Sequence, residues 1–432
     1  MTDSPAAAAC RAAVLGGLLA ALAADPAGAN NGLNLIGFGT ESVGMGGADL
    51  AVARDTTALN TNPAGIARLR APALDVFVEA ANSRQRHADA FGNDTGVTNE
   101  FIGLGGFGWT LPLAGTPLVA GIGLFGQGGA GFVYRDLATA FGTRDNAALV
   151  FGIGRLTPAL AWRASETLSF GVALPLTLAR AKQEFFPRTS RAGAGPADSF
   201  FGLDITGLQA RRLSLRLGAL YEPRPGWTLG LAYGTKTPLP LRSGQLEADL
   251  SALGLGRVRY GRVRFDGFAL PEELGLGLAW QATPALLLSV ELTRLAWSTA
   301  LRRATLHASD PATPDAPPML QLTQPLAWRD QTVTALGLAW DVDARWRVYA
   351  GLNHAANPVP AETTSPMLAP IGEWHATGGL RWKPAPGWEW SATLEYLKPK
   401  TVRYTNALLP FGPDARATSA YLAGHLMLGR RW

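Results

Sequence analysis

The residue types that ordinarily carry chemistry are sparse and scattered in this 432-residue chain. The histidines, His87, His307, His354, His375 and His425, are dispersed, and no pair has metal-ligand spacing on one element. The only cysteine is Cys10. Gly103-Leu104-Gly105-Gly106-Phe107-Gly108 and the run from Gly121 to Gly126 spell G-x-G-x-x-G. Neither opens a helix after a strand, so a phosphate cradle is not expected there. Nothing matches G-x-S-x-G. The expectation is a protein without catalytic residues, without a metal and without a cofactor. Three cations remain as candidates for meeting an anionic headgroup, Arg216, Arg347 and Arg381. By strand alternation they share the polar face of their segments. Glu291, Glu389 and Glu395 share that face, and ordinary ion pairs with them are the competing reading.

The elements that must position these residues read as strands. Charged residues make up 16%, against roughly 25% in typical soluble proteins, while Gly (51) and Trp (13) are abundant. That composition suits a barrel whose apolar outer face is diluted by a polar inner one. In 388–397, Trp388, Trp390, Ala392, Leu394 and Tyr396 alternate with Glu389, Ser391, Thr393 and Glu395. In 213–221, Leu213, Leu215, Leu217, Ala219 and Tyr221 alternate with Ser214, Arg216 and Gly218. A helical period does not produce such faces. The pattern predicts fourteen strands near 72–82, 99–111, 116–127, 145–162, 168–183, 209–222, 227–236, 268–281, 286–302, 329–340, 346–355, 374–383, 388–400 and 417–432. Short turns and long loops alternate between them, the long ones near 83–98, 128–144, 184–208, 237–267, 303–328, 356–373 and 401–416. Outer-membrane barrels have short periplasmic turns and long outer loops. Trp109, Trp162, Trp227, Trp280, Trp340, Trp346, Trp382 and Trp388 all lie near short turns, as a periplasmic girdle would.

Residues 1–29 read as a signal peptide, with Arg11, an apolar run from Ala12 to Ala24 and an Ala27-Gly28-Ala29 cleavage site. Its removal would take Cys10 with it. The formal charge is +5 with the basic residues spread along the chain, which does not suggest a nucleic-acid partner. The chain closes on a strand ending at Trp432, the kind of terminal aromatic that barrel-assembly machinery reads. The expected setting is the bacterial outer membrane, with lipid and lipopolysaccharide around a monomer.

Residues 30–71 do not alternate. They carry Gly44-Met45-Gly46-Gly47, the tripeptide Asn62-Pro63-Ala64, and enough apolar side chains (Leu35, Phe38, Met45, Leu50, Leu59) to pack inside something. This segment resembles the N-terminal hatch of the FadL/TodX family of outer-membrane transporters of long-chain fatty acids and aromatic hydrocarbons. Leu270-Pro271-Glu272 with Leu274-Gly275-Leu276-Gly277, Gly351-Leu352-Asn353 and Gly378-Gly379-Leu380-Arg381-Trp382 are similar to later strands of that family. The resemblance implies an all-β fold: a fourteen-stranded antiparallel transmembrane barrel over 72–432, plugged by a hatch over 30–71.

It also implies passive uptake of hydrophobic small molecules, long-chain fatty acids foremost. The alternatives are aromatic hydrocarbons in the same family, or a structural or adhesive barrel without transport. Gly44, Gly46, Gly47, Asn62, Pro63 and Ala64 would form the hatch gate. Phe38, Met45, Phe185, Phe186, Phe200, Phe201, Leu250 and Leu253 are candidates to touch substrate, the last two from a loop with near-helical leucine spacing. Mutual packing over the mouth is an equal reading of the loop residues. Gly126, Gly128 and Gly129, at the end of the third strand, would permit a lateral gate.

Overall fold

This computed structural model describes residues 31–195 and 198–432. The expected signal peptide and Cys10 lie outside the described residues. Fourteen barrel strands follow the hatch. They are β1 (Ala73–Ala88), β2 (Phe101–Pro112), β3 (Leu118–Ala138) and β4 (Arg144–Arg163). Next come β5 (Leu168–Ala173 and Leu176–Arg191), β6 (Phe200–Leu213 and Arg216–Arg224), β7 (Trp227–Gly234 and Leu241–Asp249) and β8 (Arg257–Asp266 and Glu273–Gln281). The last are β9 (Leu286–Leu295 and Arg303–Pro311), β10 (Met319–Pro325 and Gln331–Asp341), β11 (Trp346–His354), β12 (Trp374–Ala385), β13 (Trp388–Tyr404) and β14 (Ala415–Arg431). Each pairs antiparallel with its neighbours. The sheet closes where β1 meets β14, from Ala73 opposite Arg431 to Ala88 opposite Arg416. Closure removes the sheet's free edges, the condition for backbone to cross lipid in strands, except where β2 and β3 part above Gly106.

Alternation sorts the side chains as the sequence predicts. Leu394 and Leu426 are 64% and 60% exposed on the outer face, while Thr393, Glu395 and His425 between them are buried in the lumen. The tryptophan girdle forms at the short turns, with Trp227 stacked on Trp280 at 5.3 Å and Trp346 on Trp382 at 5.8 Å. Arg430 extends over Trp388 at 4.9 Å and Trp432 at 5.9 Å, its stem on the apolar face and its charge at the rim.

The outer loops differ from the sequence reading. The stretches 237–267 and 303–328 hold strands: Leu241–Asp249 pairs with Arg257–Asp266, and Arg303–Pro311 with Met319–Pro325. The near-helical leucine spacing is a strand followed by a single 3-10 turn, Ser251–Leu253. Likewise β3 runs on to Ala138, so Gly126, Gly128 and Gly129 lie within a strand rather than at its end. In the hairpins the alternation persists but inverts: Val258, Tyr260 and Val263 are buried over the mouth, while Arg257, Arg259 and Arg262 meet water where lower residues meet lipid. A pattern keyed to an apolar lipid-facing side passes over such strands.

Candidate functional site

The hatch is built from short capped turns, because its sequence has neither the length for helices nor the alternation for strands. Helix α1 (Gly39–Gly44) is six residues long, and Ser42 Oγ accepts from the Phe38 N–H at 3.1 Å. A 3-10 turn at Thr56–Leu59 is capped by Asp55, whose carboxylate accepts from the Thr57 N–H at 2.9 Å. A second, Pro63–Arg68, starts with Pro63 behind the cap residue Asn62. Asn62 Oδ1 accepts from the Ala64 N–H at 3.2 Å, and its Nδ2 donates to the Leu50 carbonyl at 2.7 Å and to the Ala219 carbonyl of β6 at 3.3 Å. The Asn-Pro-Ala tripeptide is thus a cap that also ties the hatch to the barrel wall.

The wall reciprocates with inward side chains that satisfy hatch backbone groups. Glu291 Oε2 accepts from the Asp49 and Leu50 N–H groups at 3.1 and 2.9 Å. Asp75 Oδ2 accepts from the Thr56 N–H at 2.9 Å. Asn353 donates to the Gly46 carbonyl at 2.8 Å, Thr377 to that of Gly44 at 3.0 Å, and Thr393 to that of Thr40 at 2.8 Å. A buried backbone without regular structure needs such partners, each contributing on the order of 1 kcal/mol net. Two wall glycines let the chains approach. A Cβ on Gly351 would run into the backbone of Met45 and Gly46, and one on Gly218 into Asn62. None of these wall residues except Glu291 was singled out from sequence as a contact. Their common signal is a small polar or glycine residue at an inward strand position.

The three candidate cations all point inward and all are paired. Arg216 Nη1 lies 2.6 Å from Glu273, and its Nε donates to the Thr61 carbonyl at 2.6 Å. Arg347 binds Asp341 at 2.6 Å and lies 3.7 Å from Glu41 of the hatch. Arg381 reaches Asp341 at 3.5 Å and Glu389 at 3.9 Å. Two of the three expected partners are corrected. Glu291 is taken by hatch amides, and Glu395 binds His375 and His425 at 2.8 and 3.1 Å. Alternation tells which face a residue occupies, not how barrel closure sets neighbours along it.

Electrostatics within the hatch follow from burial. Burial alone would raise the Glu41 carboxyl, but the Arg54 and Arg347 guanidiniums beside it hold it below the usual range. Asp49 is pushed up to about 6 by burial, against a hydrogen bond from Ser42 and the charge of Arg216. Asp55 is pushed up to about 7, first by burial and then by the nearby carboxylates of Asp75 and Glu41.

Apolar side chains form a column above and around the hatch. In the mouth, Phe185 and Phe186 stack at 5.0 Å, Phe186 meets Phe411 at 5.7 Å, and Phe141 stacks on Phe200 at 4.7 Å. A second cluster joins Phe151, Phe268, Leu250, Trp297 and Trp328 to Leu33 at the hatch tip, with Phe201 partly buried against it. Lower down, Phe38 meets Phe125 of β3 edge-on at 5.9 Å. Met45 packs instead with Ala51, Ala339 and Tyr349. Of the loop candidates, Phe186 and Leu250 are buried, and Leu253 remains 48% exposed.

Between hatch tip and wall lies a cavity of about 80 Å³, lined among others by Asn34, Asp49, Thr61, Arg216, Glu273 and Glu291. Its lining is mixed, with Leu35, Ile36, Phe38, Leu50, Leu295 and Val333 beside the polar groups, and its volume suits a few waters. The wall beside it is interrupted. The β2–β3 ladder ends at Gly106 opposite Phe125, and β3 bulges between Gly126 and Gly128, where Gly128 has φ 126°. There the Asn34 backbone bridges to Gly128, and Asn60 Nδ2 donates to Gln127 at 2.9 Å. The structure therefore brings Gly126, Gly128 and the hatch together at one break in the wall. It does not bring Met45 or Leu253 to it.

The sequence profile described as Outer membrane protein transport protein (OMPP1/FadL/TodX) matches residues 20–418. The fold is similar to that of the Pseudomonas putida toluene transporter TodX, at TM-score 0.76 and 17% identity, over 92% of this chain and 99% of that one. It is also similar to the Ralstonia pickettii toluene transporter TbuX (TM-score 0.73, 20% identity, 92% and 99% covered). A third similar structure is a Pseudomonas aeruginosa FadL homologue (TM-score 0.73, 16% identity, 93% and 99% covered). No curated protein sequence matches the chain significantly.

Proposed function

The chain belongs to the OMPP1/FadL/TodX family of outer-membrane transport proteins, and from that premise we propose that it is a passive channel for hydrophobic small molecules. In this reading the aromatic mouth captures the substrate, and the apolar cluster ending at Leu33 leads it to the hatch. Movement of the hatch tip away from Gly128 then opens the break between β2 and β3 as the exit to the bilayer. The single observation that carries the reading is the Asn34–Gly128 bridge, which places the hatch across an interruption in the wall. No chemistry on the substrate is involved, and movement follows its gradient.

Long-chain fatty acids are the substrate class expected from the sequence. The ion pairs favour the second reading, a neutral aromatic hydrocarbon. Arg216 is paired with Glu273, and Arg347 and Arg381 share Asp341 with Glu41 and Glu389 beside them, so none of the three stands free for a fatty-acid headgroup.

Uptake of labelled oleate and labelled toluene tests both. The host is a Gram-negative strain lacking its own transporter of this class. Intact protein is compared with a variant lacking residues 30–59 at matched surface levels. Toluene uptake that changes on deletion supports a hatch-gated hydrocarbon channel, and oleate uptake that changes restores the fatty-acid reading. Uptake of neither by a folded barrel overturns transport in favour of a structural role.

A further inference from the structure

The outer wall beside the break carries a groove of about 870 Å³, within the size range of ligand sites. Its floor is thin, made of Gly126 and Gly128 on β3 and Gly152 and Gly154 on β4. Its inner end is Leu104, a β2 side chain that packs with Ile102 and Tyr421 in the lumen. The far wall is basic. Arg180 and Lys182 project from β5 and Arg211 from β6, all three exposed. They form one patch: Arg180 pairs with Gln209, two residues from Arg211, and Lys182 is two residues above Arg180. Among the described residues none of the three has a carboxylate within ion-pair distance. The nearest acidic residue above them on β5, Glu184, is bound by Arg135.

Their height in the membrane is fixed by the girdle. Phe170, stacked on Trp162 at 6.1 Å, marks the periplasmic interface on β5, and Tyr221 marks it on β6. Arg180 and Arg211 each lie about ten residues above that line. At ~3.3 Å per residue and a strand tilt of ~40°, they stand ~25 Å higher, the full height of the apolar band. Three unpaired cations therefore sit at the outer headgroup level, facing lipid, at the rim of an apolar groove.

We propose that this groove is a binding site for lipid A, the phosphorylated glycolipid of the outer leaflet. Arg180, Lys182 and Arg211 hold a phosphate, and an acyl chain lies over the glycine floor, covering the β2–β3 break from outside. An anionic headgroup with apolar chains satisfies both halves of the groove. Zwitterionic lipid would leave the cations unmatched. The inference rests on outer-membrane placement and not on which substrate is carried.

The test uses the full barrel purified in mild detergent and delipidated. Its affinity is measured by native mass spectrometry for bisphosphorylated lipid A, for lipid A with both phosphates removed, and for oleate. The variant R180A/K182A/R211A is compared, with retained heat-modifiable gel mobility as proof of folding. R257A/R259A, on the outer hairpin, controls for general loss of positive charge. The expected result is preference for the phosphorylated form, weakened between about tenfold and a hundredfold in the triple variant and little in the control. Equal affinity for phosphorylated and dephosphorylated lipid would overturn the proposal. So would displacement by oleate with the same dependence on the three cations, which would make the patch a station for an exiting carboxylate.

Discussion

The Asn34 backbone bridges to Gly128 within a few residues of where β2 stops pairing with β3, so the hatch stands in for the missing part of a strand. The seal is a few hydrogen bonds rather than a continuous ladder. A break closed by so few bonds opens at far lower cost than one closed by strand pairing.

Asn60 supplies one of those bonds, to the buried Gln127. Asn60→Leu keeps the volume but takes a partner from Gln127 and from the buried Arg155 guanidinium, which donates to Asn60 Oδ1 at 3.4 Å, at a cost of about 1–3 kcal/mol for each. Amide exchange at Gly128 and Gly129 should quicken while the heat-modifiable barrel band persists. Unchanged exchange would remove Asn60 from the seal.

Gly351 makes room for Met45 and Gly46. Gly351→Val should eject that part of the hatch, because the overpacking costs about 1–3 kcal/mol and the lipid-facing pattern is untouched. Limited proteolysis is expected to cut near residues 44–47 in the variant and not in the parent. Resistance equal to the parent's would mean the wall yields instead.

Arg216 and Glu273 form a largely buried pair, 12% and 13% exposed. Arg216→Ala should destabilise the barrel by about 1–3 kcal/mol, since Glu273 keeps only the hydrogen bond from Asn34 at 2.9 Å. The exchanged pair R216E/E273R should recover most of that stability in urea unfolding from liposomes. If Arg216 serves a substrate carboxylate, the exchanged pair will recover stability but not oleate uptake.

Asp49 and Asp55 should make hatch docking pH-dependent. Their docked values, about 6 and about 7, lie above the ordinary aspartate value of ~3.9. The stability they contribute is therefore fully present below pH ~4 and is lost as pH rises through about 7. Hatch amides should be less protected at pH 8.5 than at pH 5.5 once the base-catalysed intrinsic exchange rate at each pH is divided out. Asp55→Asn should flatten most of that difference, and a slope of opposite sign would refute the assignment.

The sequence alone determined the barrel and its strand number, while the segment that plugs it was marked by its resemblance to the family's hatch. The barrel follows from local rules. Residues two apart share a face, lipid demands apolar side chains on it, and indoles collect at the interface, so Leu394, Leu426 and the tryptophans from Trp109 to Trp388 announced themselves. It also singled out the glycines of the break and Asn62, the latter as part of the hatch tripeptide and not as a cap. Only the tertiary structure decided which lumen groups meet. That Glu291 serves the Asp49 and Leu50 amides, and that Arg216 chose Glu273, depends on stagger and closure between segments 57 to 242 residues apart, which no local periodicity encodes. The outer hairpins were hidden for a related reason. Beyond the bilayer the outward face carries charge instead of apolar side chains, and the apolar residues, such as Val258 and Tyr260, turn inward onto the mouth cluster, so a lipid-facing pattern does not mark these strands.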